Sequence, residues 1–177
     1  MPISVNRHYT CRYNMNNPVS VPIMHSITIK DPLLCNGATL RKATRRVTQL
    51  YDAVLAPCGL KMSQCSILAS IDRAGSPTMS DLAHVLILDR SALAHNMKPL
   101  ERDGYVEQTR NESDGRSRRV TLTAAGLAKL AESNALWEQA QARFETVYGH
   151  DQAQQLRASL SIIFSDEFAE LFNAERK

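Results

Sequence analysis

Apolar residues recur along this chain in two rhythms, and the changes of rhythm divide it into elements. From residue 34 to 56, Leu40, Ala43, Val47, Leu50 and Val54 return every three or four positions. That spacing gathers side chains on one face of an α-helix. Arg41, Lys42, Arg45 and Arg46 fall on its other flank, and Pro57-Cys58-Gly59 stops it. A second helix is predicted from Ser63, with Ile67, Leu68 and Ile71 inward, ending before Gly75-Ser76-Pro77. Thr78 and Asp81 have the spacing of a capping box and open a short helix carrying Leu82, Ala83 and Val85. Asp89 caps the next helix, Arg90 to Arg102, whose inward positions are Leu93, Met97 and Leu100. Gly104 stands where a left-handed residue closes a helix. Two short helices joined by a tight turn form a helix-turn-helix.

The period then shortens from 3.6 to 2. Tyr105–Arg110 and Arg119–Thr123 read as paired strands, with Val120 and Leu122 on one face and the polar turn Asn111-Glu112-Ser113-Asp114-Gly115-Arg116-Ser117 between them. Thr123 caps a long helix from Ala124 to about Tyr148, broken by Gly149. One last helix carries Leu156, Leu160, Ile163, Phe164, Phe168, Leu171 and Phe172. That stripe is too apolar for a terminal helix facing water, so it marks an association surface. The predicted fold is mainly α with a small β-hairpin wing. A winged helix-turn-helix domain spans residues 62–123. Residues 34–57 and 124–175 form a helical dimerisation region, and residues 1–30, which show no period, form a flexible N-terminal arm.

Composition changes this picture little. A hydrophobic share of 44% and a charged share of 22% are ordinary for a soluble globular chain. The net charge of +3 permits a nucleic-acid partner without demanding one. Residues 80–123 carry seven acidic and seven basic side chains, so attraction to DNA must come from their placement. Cys11, Cys35, Cys58 and Cys65 are irregularly spaced with no C-x-x-C pair, which argues against a zinc site or a disulfide framework. No apolar run reaches the roughly 20 residues of a membrane span, no export signal is expected, and the expected location is cytoplasmic. The five histidines are scattered, without an H-x-x-x-H pair, a nucleophile elbow or a phosphate-cradling loop. Neither an enzyme, a cofactor nor a bound metal is expected.

The run from Leu88 to Gly126, LDRSALAHNMKPLERDGYVEQTRNESDGRSRRVTLTAAG, resembles the MarR family of bacterial winged helix-turn-helix regulators. Four linked features carry the likeness: Asp-Arg-Ser at the start of the recognition helix, Leu-Glu-x-x-Gly-Tyr-Val at its exit, Asp-Gly-Arg in the wing, and Leu-Thr-x-x-Gly leading into a long helix. With the flanking helices it covers residues 34–175. Ile87 departs from it, standing where relatives often carry glycine.

The resemblance implies a homodimer on double-stranded operator DNA, its site an imperfect palindrome and its default action repression. On the recognition helix the face opposite Leu93, Met97 and Leu100 presents Arg90, Ser91, Ala94, His95 and Lys98. Arg90 suits a guanine edge, Ala92 or Ala94 a thymine methyl, and Lys98 a phosphate. In the wing, Arg116 matches the arginine that relatives place in the minor groove. Asp114 is expected to brace it, and Arg110, Arg118 and Arg119 add charge.

Relatives release DNA when a small aromatic or phenolic anion, or an oxidant, changes the spacing of the reading heads. A ligand crevice is expected near Arg41, Arg45, Met62, Cys65 and Trp137. Cys35, at a helix N-terminus, is the redox candidate, because the dipole there favours thiolate. It falls about two residues earlier than the cysteine of the family's peroxide sensors. Only Tyr51 of their two partnering tyrosines is present, and Arg41 replaces the other. The rival readings are a metal-sensing winged-helix repressor, which needs clustered ligands, and a winged helix used for protein association.

Overall fold

The computed structural model describes residues 34–110 and 117–174. The proposed arm at residues 1–30, and Asp114 and Arg116 at the tip of the wing, lie outside the described residues. The chain forms two compact units, Met1–Arg41 and Lys42–Lys177. Of the first, the described part is Leu34, Cys35 and the opening of helix α1, Asn36–Leu55. Among the described residues no single helix is long and apolar enough to cross a membrane.

In the second unit, α1 ends in a 3-10 turn, Ala56–Cys58, closed by Gly59 at φ +73°. Helix α2, Met62–Ala74, follows, and its first amide is capped from a distance: the Met62 N–H donates to the Asp52 carboxylate at 2.8 Å. Helix α3, Met79–Val85, starts at the expected capping box. The Thr78 N–H donates to Asp81 at 2.9 Å, and the Asp81 N–H donates back to the Thr78 hydroxyl at 3.2 Å. The Thr78 amide and then its hydroxyl hold the Asp81 carboxyl below its ordinary range.

Helix α4, Arg90–Arg102, ends in a Schellman motif: the Gly104 N–H donates to the Glu101 carbonyl and the Tyr105 N–H to that of Leu100. Strands β1, Val106–Arg110, and β2, Arg118–Leu122, pair antiparallel with Val106 opposite Leu122 and Arg110 opposite Arg118. Helix α5, Ala124–Tyr148, is capped by the Thr123 hydroxyl, which accepts the Gly126 N–H at 3.0 Å.

Where the sequence predicts one last helix, the structure has two: α6, His150–Ile163, and α7, Asp166–Ala174. The break is a cap. The Ser165 hydroxyl accepts the Phe168 N–H at 3.2 Å, and Asp166 and Glu167 fill the first turn that favours acids.

The core gathers around α2 and α4, where Leu55, Ile67, Leu68, Ile71, Leu82, Leu93, Met97, Leu100, Val106, Val120 and Leu130 are buried together. Full burial of one such side chain is worth roughly 1.5–3 kcal/mol, so this cluster fixes α3, α4 and the hairpin to α2. Leu50 of α1 and the apolar positions of α7 behave differently. Leu50 is 54% exposed, and Phe168, Leu171 and Phe172 are 40–65% exposed.

Candidate nucleic-acid interface

Burial sorts α4 into two faces. Leu93, Met97 and Leu100 face the core, while Arg90, Ser91, Ala94, His95 and Lys98 are exposed and Ala92 is half-buried. Residues four apart lie nearly in line on a helix, so Arg90, Ala94 and Lys98 make one row and Ser91 and His95 the next.

The first turn of this face is fixed by hydrogen bonds. The Asp89 carboxylate accepts the Ala92 N–H at 2.7 Å and the Ser91 hydroxyl at 2.6 Å. Those bonds, the Ser91 hydroxyl first, hold the Asp89 carboxyl below the usual carboxylate range. Ser91 therefore directs its proton to the cap, leaving its oxygen lone pairs for a partner. Arg90 donates from Nη2 to the Ser80 hydroxyl on α3 at 2.7 Å. Asn96 donates to the Ala92 carbonyl at 2.9 Å and accepts from the Ser63 hydroxyl of α2 at 3.1 Å.

The wing adds charge beside α4. Arg110 and Arg118 are exposed and stand opposite each other on the rung nearest the tip. One rung back, Arg119 ties β2 to the segment ahead of α3, donating to the Ser76 carbonyl at 2.7 Å and pairing through its backbone with Thr78. Thr123 joins the wing to α5. Its N–H donates to the Tyr105 carbonyl at 3.1 Å and its hydroxyl to the Gly104 carbonyl at 2.6 Å. Gly126 packs so closely that a Cβ there would overlap the Tyr105 carbonyl oxygen.

A cleft of about 630 Å³ lies between α2 and α5. Leu55, Met62, Cys65, Ala69, Leu130 and Trp137 give it apolar walls, and Ser66, Ser70, Asp72, Arg73 and Asn134 supply polar groups. Of the crevice residues expected from sequence, the structure brings Met62, Cys65 and Trp137 together here. Arg45 is exposed on α1 and does not line the cleft, and Arg41 is exposed in the first unit. The cation in the cleft is Arg73. Burial pushes the Cys65 thiol up to about 11, against a hydrogen bond with Ser133 that pulls it down. Cys35 is exposed just ahead of α1, its sulfur accepting the Ala38 N–H at 3.5 Å. Among the described residues, no three His, Cys, Asp or Glu side chains stand together as a metal site.

Comparison with known proteins places this geometry. A profile for a winged helix DNA-binding domain matches residues 60–126. The crystal structure of the M. tuberculosis transcriptional regulator MosR in complex with DNA superposes with a TM-score of 0.68 at 33% identity, covering 76% of this chain and 97% of that one. The chain is 30% identical over 92 residues to the multiple antibiotic resistance protein MarR of Escherichia coli K12, which is 52% of this chain and 64% of MarR. The chain belongs to the MarR family of winged-helix transcriptional regulators. Another relative, the HTH-type transcriptional regulator SarZ of Staphylococcus haemolyticus, is 26% identical over 142 residues, 79% of this chain and 95% of SarZ. The relatives of this MarR-family chain are regulators and not enzymes.

Sequence spacing singles out neither Ser63, Ser80 and Asn96, which bond between helices, nor Arg73, which meets α5 only in the fold.

Proposed function

We propose that this MarR-family chain is a homodimeric, sequence-specific regulator that represses transcription from an imperfectly palindromic operator and releases it when a small aromatic or phenolic anion enters the α2–α5 cleft. The observation that carries the reading is the exposed face of α4, a row of Arg90, Ala94 and Lys98 beside Ser91 and His95, whose first turn is fixed by Asp89. The major groove admits such a helix, and the first turn is the end that reaches bases. Arg90 pairs with a guanine edge, Ala92 or Ala94 touches a thymine methyl, and Lys98 meets phosphate. Arg116 enters the minor groove, braced by Asp114, and Arg110 and Arg118 add positive charge in the same hairpin. The likeness to MosR, a regulator whose crystal structure is in complex with DNA, supports a DNA partner for this fold.

The unpartnered apolar surface supports the dimer. A groove of about 420 Å³ between α1 and α5, lined by Leu50, Val54, Phe144, Val147 and Tyr148 among others, adds to the exposed face of α7. A two-fold axis would set two copies of α4 about one DNA turn apart, hence the palindrome. The cleft supports the effector: its volume suits a small molecule, Trp137 offers a stacking surface and Arg73 a counter-charge. A thiol raised to about 11 makes Cys65 a poor oxidation sensor.

The test is fluorescence anisotropy on DNA upstream of the chain's own gene against a scrambled duplex, at low and physiological salt. The expected preference is about a hundredfold or more, a modest demand beside the usual margin of specific over non-specific binding. Equal weak binding to both duplexes refutes sequence-specific regulation from that site, and no binding at low salt refutes the DNA reading. Trp137 is the one tryptophan of the chain, so its emission reports on the cleft. Benzoate-type acids should quench it as they release DNA. Release by peroxide alone, lost in Cys35→Ser, would move the sensor to the thiol.

A further inference from the structure

The reading end of α4 is tied to α3 through one bond, from Arg90 Nη2 to the Ser80 hydroxyl at 2.7 Å. Both residues are exposed, so neither needs the other to satisfy a buried group. The bond restricts a long side chain at the point where a guanidinium must be aimed. Its acceptor is rigidly placed. Ser80 lies inside the Thr78–Asp81 capping box, two residues after Thr78, and Leu82 and Ala83 of the same short helix are buried in the core. The donor's backbone is rigid too, because Asp89 caps α4 immediately before Arg90. Arginine has five N–H donors and Ser80 engages one, so a pair remains for a base edge.

We propose that Ser80 is a positioning residue for operator recognition: its hydroxyl holds the Arg90 guanidinium in reading position before DNA arrives. It thereby sets how sharply one base pair is discriminated. The inference rests on α4 being the recognition helix. Ser80 acts through Arg90, and the energy comes from side-chain freedom already surrendered in the free protein.

The test is anisotropy on the operator and on its single-base variants, with Ser80→Ala, Ser80→Thr, Arg90→Ala and the Ser80→Ala/Arg90→Ala double variant. The base pair that Arg90 reads is the one whose substitution no longer matters in Arg90→Ala. At that pair Ser80→Ala should lower discrimination by about three- to tenfold, the scale of ordering one long side chain on binding. Ser80→Thr, which keeps the hydroxyl, should restore it. In the Arg90→Ala background Ser80→Ala should add nothing. The slope of affinity against salt should stay unchanged, because no phosphate contact is removed.

An equal loss in both backgrounds, or a shallower salt slope, would show Ser80 touching DNA on its own account and overturn the proposal. So would wild-type discrimination in Ser80→Ala while Arg90→Ala is impaired. If Arg90→Ala leaves binding and discrimination intact, base reading by Arg90 fails and the role of Ser80 with it. Operator binding by the unaltered chain remains a separate result. Urea unfolding of each variant checks that the exposed substitutions leave the fold in place.

Discussion

Replacing Ile87 by glycine and by alanine separates the backbone strain at the α3–α4 turn from the contacts of the side chain. Helix α3 ends in a Schellman motif, with the Ile87 N–H donating to the His84 carbonyl at 3.1 Å and the Leu88 N–H to that of Ala83 at 2.9 Å. That geometry puts Ile87 at φ +51°, the one positive φ outside glycine among the described residues. A left-handed conformation costs an L-residue roughly 1–2 kcal/mol, and a β-branched residue there is an outlier. Ile87 is 63% exposed, so its remaining contact recovers only part of the roughly 1.5–3 kcal/mol of full burial. Both variants lose that contact, which therefore cancels between them. Glycine sheds the left-handed cost but returns about 0.4–1 kcal/mol as freedom of the unfolded chain. The difference leaves Ile87→Gly above Ile87→Ala by about 0.8 kcal/mol, the middle of the range these terms allow. At a right-handed position the order is the reverse. Urea midpoints measured at one fixed protomer concentration, since assembly shifts them by mass action, check the order. Alanine equal to or better than glycine would refute the strain argument.

Gly126→Ala should destabilise the fold by about 1–3 kcal/mol, because the added methyl meets the Tyr105 backbone and not a movable side chain; thermal unfolding reads this. Glu145 accepts hydrogen bonds from Gln141, His150 and Arg157, which together lower its carboxyl from 4.5 to about 2. A carboxyl depressed in the folded state contributes stability above its unfolded value and loses it as pH falls through the folded one. The advantage of the wild type over Glu145→Gln should therefore hold at pH 6 and close between about 4.5 and 2, followed by unfolding midpoints across that range. Arg116→Ala should weaken operator binding and reduce the salt slope by about one phosphate's worth, read by anisotropy at several salt concentrations.

What was legible in the sequence was local. The capping box at Thr78 and Asp81, the caps at Asp89 and Thr123 and the left-handed Gly104 all satisfy backbone groups within a few residues of themselves. Period and spacing therefore reveal them. The break at Ser165 was not legible, because the apolar spacing runs on from Phe164 to Phe168 and masks the cap between them. The chain's own core and a partner's surface also look alike in a pattern. Leu50 and Phe168 obey the same rhythm as Ile67 and Leu93, yet the first two are exposed and the last two buried. Arg73 reads as an ordinary cation at a helix C-terminus, and only the fold brings α5 across from it to make a cleft. Ser63 and Asn96 bond across 33 residues, beyond the reach of any local rule.

The distance between the proposed effector cleft and the proposed DNA-reading surface is spanned by one helix. Leu130 belongs both to the core and to the lining of the cleft. Seven residues before it, Thr123 bonds the root of the wing through the Gly104 and Tyr105 carbonyls. At 1.5 Å per residue that is roughly 10 Å of continuous α-helix. The Gly126–Tyr105 contact leaves no slack at the wing end, since the backbone there already lies as close as a missing Cβ permits. A molecule wedged between α2 and α5 therefore cannot move the first turns of α5 without moving the wing root. The buried cluster that fixes α3 and α4 to α2 also holds Val106, Val120 and Leu130, so the hairpin and the first turns of α5 form one body with the helix-turn-helix. An effector in the proposed cleft would then need no hinge inside the DNA-binding domain: it would act by changing the angle that the rest of α5 makes with that body.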